Sequence, residues 1–261
     1  MTLKYIFFSL LFFASNVWGQ VRYIDYPSPF HPTIGSSGMV VSQNQASSDI
    51  GIEILNMGGN AIDAAVAVGF SLTTTLPRAG NLGGGGFMLI YLSDEQKTIA
   101  VDFRSSAPKG ISEDEFLFLK KNYDQRRFGY KASGVPGTVA GLLQTHQRYG
   151  KLPLKKILQP VILQASKGIL VTYDLNQAIG SAHQINLDEE SKKIYYQNES
   201  PVIEHALMKR PDLAWTFREI ARKGEDAFYK GSIAKKIVKA MQQNGGYITR
   251  EDLEDYKPRF T

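Results

Sequence analysis

NAIDAAVAVGFSLTTTLPRAGNLGGGGFMLIYLSDEQKTIAVDFRSSAP, residues 60–108, reads in order as a buried helix, a glycine loop, a strand, a short turn and a second strand. Asn60 with Asp63 three residues on makes a capping-box-like start, in which side chains satisfy the free backbone donors of a first turn. Residues 61–72 are almost wholly small and apolar, which predicts a helix buried on most sides and close to a neighbour. Four consecutive glycines at 83–86 permit positive φ angles and the close approach of another backbone or a ligand. Phe87–Leu92 reads as a strand and residues 98–104 as its partner. In the second strand Ile99, Val101 and Phe103 face one way, and Ala100, Asp102 and Arg104 the other.

Outward from this stretch the chain is mainly helical. Met39-Val40-Val41-Ser42 is a short strand candidate. A helix is expected over about residues 47–57, with Ser48 and Asp49 at its start, Ile50, Ile54 and Met57 on one face, and Gly58-Gly59 as its stop. Ser112 or Glu113 opens a short helix. Gly134-Val135-Pro136-Gly137 is a turn before a helix over 138–149. Leu154, Ile157, Leu158, Val161 and Ala165 form a helical stripe that Pro160 is expected to bend. Further stripes are Leu213, Phe217 and Ile220, then Ile233, Ile237 and Met241, the last stopped by Gly245-Gly246. Thr249 with Asp252 makes a second capping box for a last short helix, and no closing element is expected between it and Thr261.

Composition narrows the function. The 261 residues can bury a full core, and their formal charge of +5 comes from 30 basic and 25 acidic residues. The densest basic cluster, Lys120, Lys121, Arg126 and Arg127, is interrupted, which favours a solvated surface over a nucleic-acid site. With no cysteine there are no disulfides, thiolate metal sites or cysteine nucleophiles. Lys4, the apolar run 5–14 and the compact Val17 and Gly19 make residues 1–19 an export signal cut before Gln20. The run is shorter than the roughly 20 residues that a membrane span needs. Residues 20–37 read as an extended leader and 38–261 as one domain, in a protein that is periplasmic or secreted.

Few residues could carry chemistry. The glycine loop lacks the lysine of a phosphate loop, and its order of helix, glycines, strand inverts that of a dinucleotide fingerprint. His31, His146, His183 and His205 are too widely spaced for a metal pattern, and Glu189-Glu190 lies in a charged surface segment. No cofactor or metal is expected. Arg104 stands out, because a charge at the end of an apolar strand is costly without a partner. Spacing alone leaves two readings open. One is a structural ion pair with Asp102 or a distant acid; the other is a guanidinium that grips a substrate carboxylate.

Several motifs in sequence order resemble the gamma-glutamyltranspeptidase family. They are Gly38-Met39-Val40; Gly58-Gly59-Asn60-Ala61-Ile62-Asp63-Ala64-Ala65; Ala79-Gly80-Asn81-Leu82-Gly83-Gly84-Gly85-Gly86-Phe87-Met88; and Asp102-Phe103-Arg104. Gly134-Val135-Pro136-Gly137-Thr138-Val139-Ala140-Gly141, Asp226-Ala227-Phe228-Tyr229-Lys230-Gly231, Asn244-Gly245-Gly246 and Asp252-Leu253 continue the series. The resemblance implies an α+β fold, the αββα sandwich of the N-terminal-nucleophile hydrolases, incomplete in this chain. It implies a precursor that cuts itself into two subunits and exposes a threonine. That threonine takes the γ-glutamyl group of glutathione and passes it to water or an acceptor. The resemblance makes Arg104 the ligand of the glutamyl α-carboxylate, with Ser105 where the family commonly carries an acid.

The resemblance also sets expectations about what lies elsewhere. The rest of the large subunit and the small subunit, with its nucleophile, are expected in another chain or a continuation. No catalytic residue is expected here, and the chain alone is expected to be inactive. The alternatives are a non-catalytic truncated remnant, a weak binder of glutamate-like ligands, and a fragment of a cephalosporin-acylase-like amidase.

Overall fold

A computed structural model describes residues 34–182 and 189–261. The expected export signal, most of the expected leader, His31 and His183 lie outside the described residues. Residues 34–37 are exposed and carry no helix or strand, and residues 38–261 form one compact unit.

The elements in chain order begin with α1 (Gln45–Asn56), α2 (Ala61–Thr75), β1 (Phe87–Leu92) and β2 (Lys97–Asp102). Then come α3 (Glu113–Lys121), α4 (Tyr123–Arg127), α5 (Thr138–Tyr149) and α6 (Leu154–Lys167). A small lobe follows, with β3 (Ile169–Leu170), α7 (Tyr173–Ala182), α8 (Glu189–Tyr195), β4 (Tyr196–Gln197), β5 (Ser200–Pro201) and β6 (Leu207–Met208). The chain continues through α9 (Pro211–Lys223), α10 (Glu225–Tyr229), α11 (Ser232–Gln243), α12 (Arg250–Asp255) and β7 (Arg259–Phe260).

Small residues let α1 and α2 pack closely, as their sequence predicts. Ser47 Oγ lies 2.8 Å from both Ser71 Oγ and Thr75 Oγ1, and Ser71 donates to Gln164 Oε1 on α6. The capping box at Asn60 and Asp63 forms. Asp63 is fully buried, and it also accepts the backbone N–H groups of Lys151 and Leu152 in the α5–α6 turn. The buried faces of α2, α5, α6 and α9 to α11 make the main core, where Phe70 meets Phe217 edge-on at 6.0 Å.

Four expectations need correction. Residues 39–42 form no strand: Val41 is exposed, and Val40 instead packs against the face of α1 at Gly51. The first helix starts at Gln45, because Asn44 caps it by accepting from Ala46 N. Met57 lies past the end of that helix and is exposed. A closing element does exist. Arg259 and Phe260 pair with Asp102 and Val101, and Thr261 exchanges both backbone hydrogen bonds with Ala100. A two-residue strand leaves no periodicity to read.

The resulting sheet has the order β1-β2-β7, antiparallel throughout. One of its faces, with Ile90, Ile99, Val101 and Phe103, packs on α2 and α5 through Ile62 and Tyr149. The other, with Phe87, Leu89 and Tyr91, is exposed.

Candidate functional site

Arg104 stands two residues past the end of β2, and its side chain is exposed. It continues the parity of Ala100 and Asp102, which puts it with the open face of the sheet. Among the described residues its guanidinium has no hydrogen-bond or ion-pair partner. Asp102, the expected ionic partner, is engaged otherwise. Its Oδ2 pairs with Arg259 at 3.1 Å, and its Oδ1 accepts the backbone N–H of Arg104 at 2.9 Å. The two readings left open by the sequence therefore separate: the guanidinium is not spent on Asp102.

The backbone around Arg104 is held on several sides. Tyr256, just past α12, donates its hydroxyl to the Arg104 carbonyl at 2.9 Å. Phe103 exchanges backbone hydrogen bonds with Gly86, and Ser106 with Val135. The glycines act here through their missing side chains. A Cβ at Gly85 would overlap Ser105 N and lie 2.8 Å from the Arg104 carbonyl carbon. A Cβ at Gly137 would overlap both Phe103 O and the Tyr256 hydroxyl. None of residues 83–86 takes a positive φ, so of the two uses of glycine foreseen for this loop it employs close approach. Gly84 O accepts from Gly137 N at 2.7 Å and from Thr138 N at 3.1 Å, tying the glycine loop to the start of α5.

Burial pushes the Tyr256 hydroxyl up to about 12, with the Asp102 charge adding to it and Arg259 opposing it. It is a protonated donor at any physiological pH. Its ring stacks on Tyr229 at 5.9 Å, and the Tyr229 hydroxyl donates to Pro136 O and accepts from Ala140 N. Tyr256 was not singled out from the sequence. Its one signal was its place three residues beyond Leu253 in the Asp252-Leu253 motif.

Other candidates fall into structural places. His146 Nε2 is 2.8 Å from Leu152 O and 3.6 Å from Asp63 Oδ1, under the α5–α6 turn. His205 is exposed. Glu189 and Glu190 pair with Lys192 and Lys193 on a solvated helix. Lys120, Lys121, Arg126 and Arg127 are all exposed. Thr73, Thr74 and Thr75 are buried at the end of α2. Among the described residues no three His, Asp or Glu side chains are grouped to hold a metal, and no helix is long and apolar enough to cross a membrane.

Residues 47–261 match the family described as Gamma-glutamyltranspeptidase. The chain is 43% identical over 232 residues to a glutathione hydrolase proenzyme of Escherichia coli (strain K12), and 38% identical over 228 residues to one of Bacillus subtilis (strain 168). These alignments take in 87% and 85% of the chain but only 40% and 38% of the relatives. Among solved structures, the gamma-glutamyltranspeptidase of Helicobacter pylori superposes with a TM-score of 0.82 at 37% identity. That match covers 89% of this chain and 67% of the other. A cephalosporin acylase from Bacillus halodurans superposes with a TM-score of 0.83 at 27% identity, over 92% of this chain and 46% of the other. The fold class is that of the N-terminal-nucleophile hydrolases, of which this chain forms part.

Proposed function

The chain belongs to the gamma-glutamyltranspeptidase family, and from that premise we propose that it supplies the substrate-orienting part of a γ-glutamyl transfer enzyme. The donor is glutathione or another γ-glutamyl compound, and the acceptor is water, an amino acid or a peptide. The observation that carries this reading is the Arg104 guanidinium, free of partners among the described residues on a backbone held from both sides. A guanidinium presents paired donors that match the two oxygens of a carboxylate. Arg104 grips the α-carboxylate of the glutamyl donor and so sets where the γ-carbonyl lies.

The chemical step is attack of a threonine hydroxyl on that carbonyl, with the threonine's own terminal amine taking the proton. The leaving amine departs protonated, and water or the acceptor amine then cleaves the γ-glutamyl ester. Thr73, Thr74 and Thr75 are buried in α2, and Thr261 has its backbone hydrogen-bonded to Ala100, so none suits the role. We place the nucleophile in the part of the relatives that this chain does not span. That part, a large-subunit remainder and a small subunit, is the proposed partner, and the open sheet face is where it packs. Export, with residues 1–19 as a cleaved signal, belongs to the same proposal.

A chromogenic γ-glutamyl anilide tests the reading. The chain alone should release no anilide, and co-expression with the remaining part of the E. coli relative should restore release. Arg104→Lys in that assembly should raise KM for the donor on the order of 100-fold, the loss of about 3 kcal/mol expected of a charged, paired contact. Turnover by the chain alone overturns the placement of the nucleophile, and turnover indifferent to Arg104 overturns the carboxylate grip. Preference for a cephalosporin side-chain amide would move the assignment to the acylase chemistry of the structural neighbour.

A further inference from the structure

We infer that Tyr256 is the positioning residue of the carboxylate site: its hydroxyl fixes the Arg104 carbonyl, and α12 serves as the bracket that carries it. The inference rests on the reading of Arg104 as a carboxylate ligand and adds to it the element that aims the side chain.

A long arginine aims accurately only if its own backbone is fixed at both ends of the residue. On the amino side Asp102 Oδ1 accepts Arg104 N at 2.9 Å. On the carboxyl side the chain leaves β2, and among the described residues the Arg104 carbonyl has no backbone donor. Tyr256 fills that position at 2.9 Å from a site 152 residues away in sequence. The tyrosine is itself fixed. Its ring lies nearly parallel to Tyr229, at 7°, and the fully buried Leu253 anchors the helix before it. The absent Cβ of Gly137 leaves room for its hydroxyl.

The rest of α12 is fastened to the same stretch of chain. Asp252 caps the helix through Thr249 with one oxygen, and with the other it accepts Lys109 N at 2.8 Å. The Lys109 ammonium pairs with Glu251 at 3.1 Å and also with Asp255. The helix is thus bonded at Lys109, and the tyrosine that ends it at Arg104, so together they bracket the loop that follows the arginine. Burial holds the Tyr256 hydroxyl in its donor form well beyond neutral pH, so the bond persists across the working range.

The test is a nuclear magnetic resonance titration of the 261-residue chain with L-glutamate, in the parent and in Tyr256→Phe, Tyr256→Leu and Arg104→Lys. Tyr256→Phe keeps the ring stack and removes only the hydroxyl. It should melt only slightly below the parent, speed amide exchange at Arg104 and Ser105, and weaken glutamate binding several-fold, less than the roughly tenfold that one well-made hydrogen bond is worth, because the bond is already present in the free chain. Tyr256→Leu should add a loss of thermal stability to the same loss of affinity. Arg104→Lys should abolish binding. If Tyr256→Phe binds glutamate as the parent does while Arg104→Lys does not, the positioning role is overturned and the arginine reading stands. If glutamate does not bind the isolated chain, the same variants are compared by donor KM in the assembly with the remaining part of the E. coli relative. A KM or an affinity indifferent to Arg104→Lys overturns the arginine reading, and the positioning role with it.

Discussion

The two faces of the β1–β2–β7 sheet are built from alternate residues of the same strands, yet one is sealed and the other is bare. On the sealed face Ile99, Val101 and Phe103 are 5%, 1% and 6% exposed. On the bare face Phe87, Leu89 and Tyr91 are 70%, 77% and 61% exposed. Side-chain type does not explain the difference, since both sets are large and apolar. What differs is the neighbour: α2 and α5 cover one face, and no described element covers the other. A strand that is apolar on both sides, such as Phe87–Leu92, belongs to a sheet with layers on both faces. That is the αββα arrangement of the fold class, and Arg104 lies two residues past the end of β2 on the side of the bare face.

The sharpest way to break the comparison is to remove the residue that joins the sealed face to its helix. The Phe103 side chain is so close to α5 that a Cβ at Gly141 would overlap its ring. Phe103→Ala should cost about 3–5 kcal/mol in urea unfolding, because a buried aromatic leaves a cavity that rigid helices cannot close. If the cost is under about 1 kcal/mol, the sheet is not the rigid platform that the site needs.

A middling effect is expected at the bracket that joins this platform to α12. Asp252→Ala leaves Lys109 N and Thr249 N without their acceptor, and should cost about 2 kcal/mol. Burial works to raise the Asp252 carboxyl, but the hydrogen bonds from Lys109 N and Thr249 hold it below the ordinary aspartate value. The sign follows from the lowered value. The unfolded chain binds the proton more readily than the folded one, so this stabilisation is present above the unfolded value near pH 4 and is lost as pH falls through the folded value. The gap between parent and Asp252→Ala should therefore narrow as pH falls through the folded value. A gap that does not narrow in acid would assign the effect to packing and uncharged hydrogen bonds.

How much of this was legible depends on where each contact lies in the chain. Local rules found the capping boxes at Asn60 and Thr249, the hairpin strands, and the helix over Thr138–Tyr149, because each is set by neighbours within a few residues. The same rules missed β7 and Tyr256. Arg259 and Phe260 are a strand only because β2 offers them an edge, and Tyr256 matters only because Arg104 O lies beside it. The glycine loop was half legible. Its composition signalled close approach, but the backbone atoms it approaches, at Phe103 and Ser105, could be known only from the fold. Arg104 was noticed because a charge at the end of an apolar strand is conspicuous, and its freedom from Asp102 could be seen only once Arg259 was in place.

The smallest expected effect on stability tests the bare face directly. Leu89→Ser and Tyr91→Ser remove apolar surface that water already reaches, so each should change the unfolding free energy by no more than about 0.5 kcal/mol. Their effect should appear in association instead. Phe87, Leu89 and Tyr91 line one side of β1, which has a free edge among the described strands, and an exposed apolar strand edge invites pairing with another chain. Sedimentation velocity of the isolated chain should show concentration-dependent self-association that the double substitution Leu89→Ser with Tyr91→Ser reduces. The same substitution should weaken assembly with the remaining part of a relative, since a serine pair offers a packing layer little apolar area. If Leu89→Ser destabilises the isolated chain as strongly as Phe103→Ala does, a described element must cover the face in solution, and the contrast between the two faces fails.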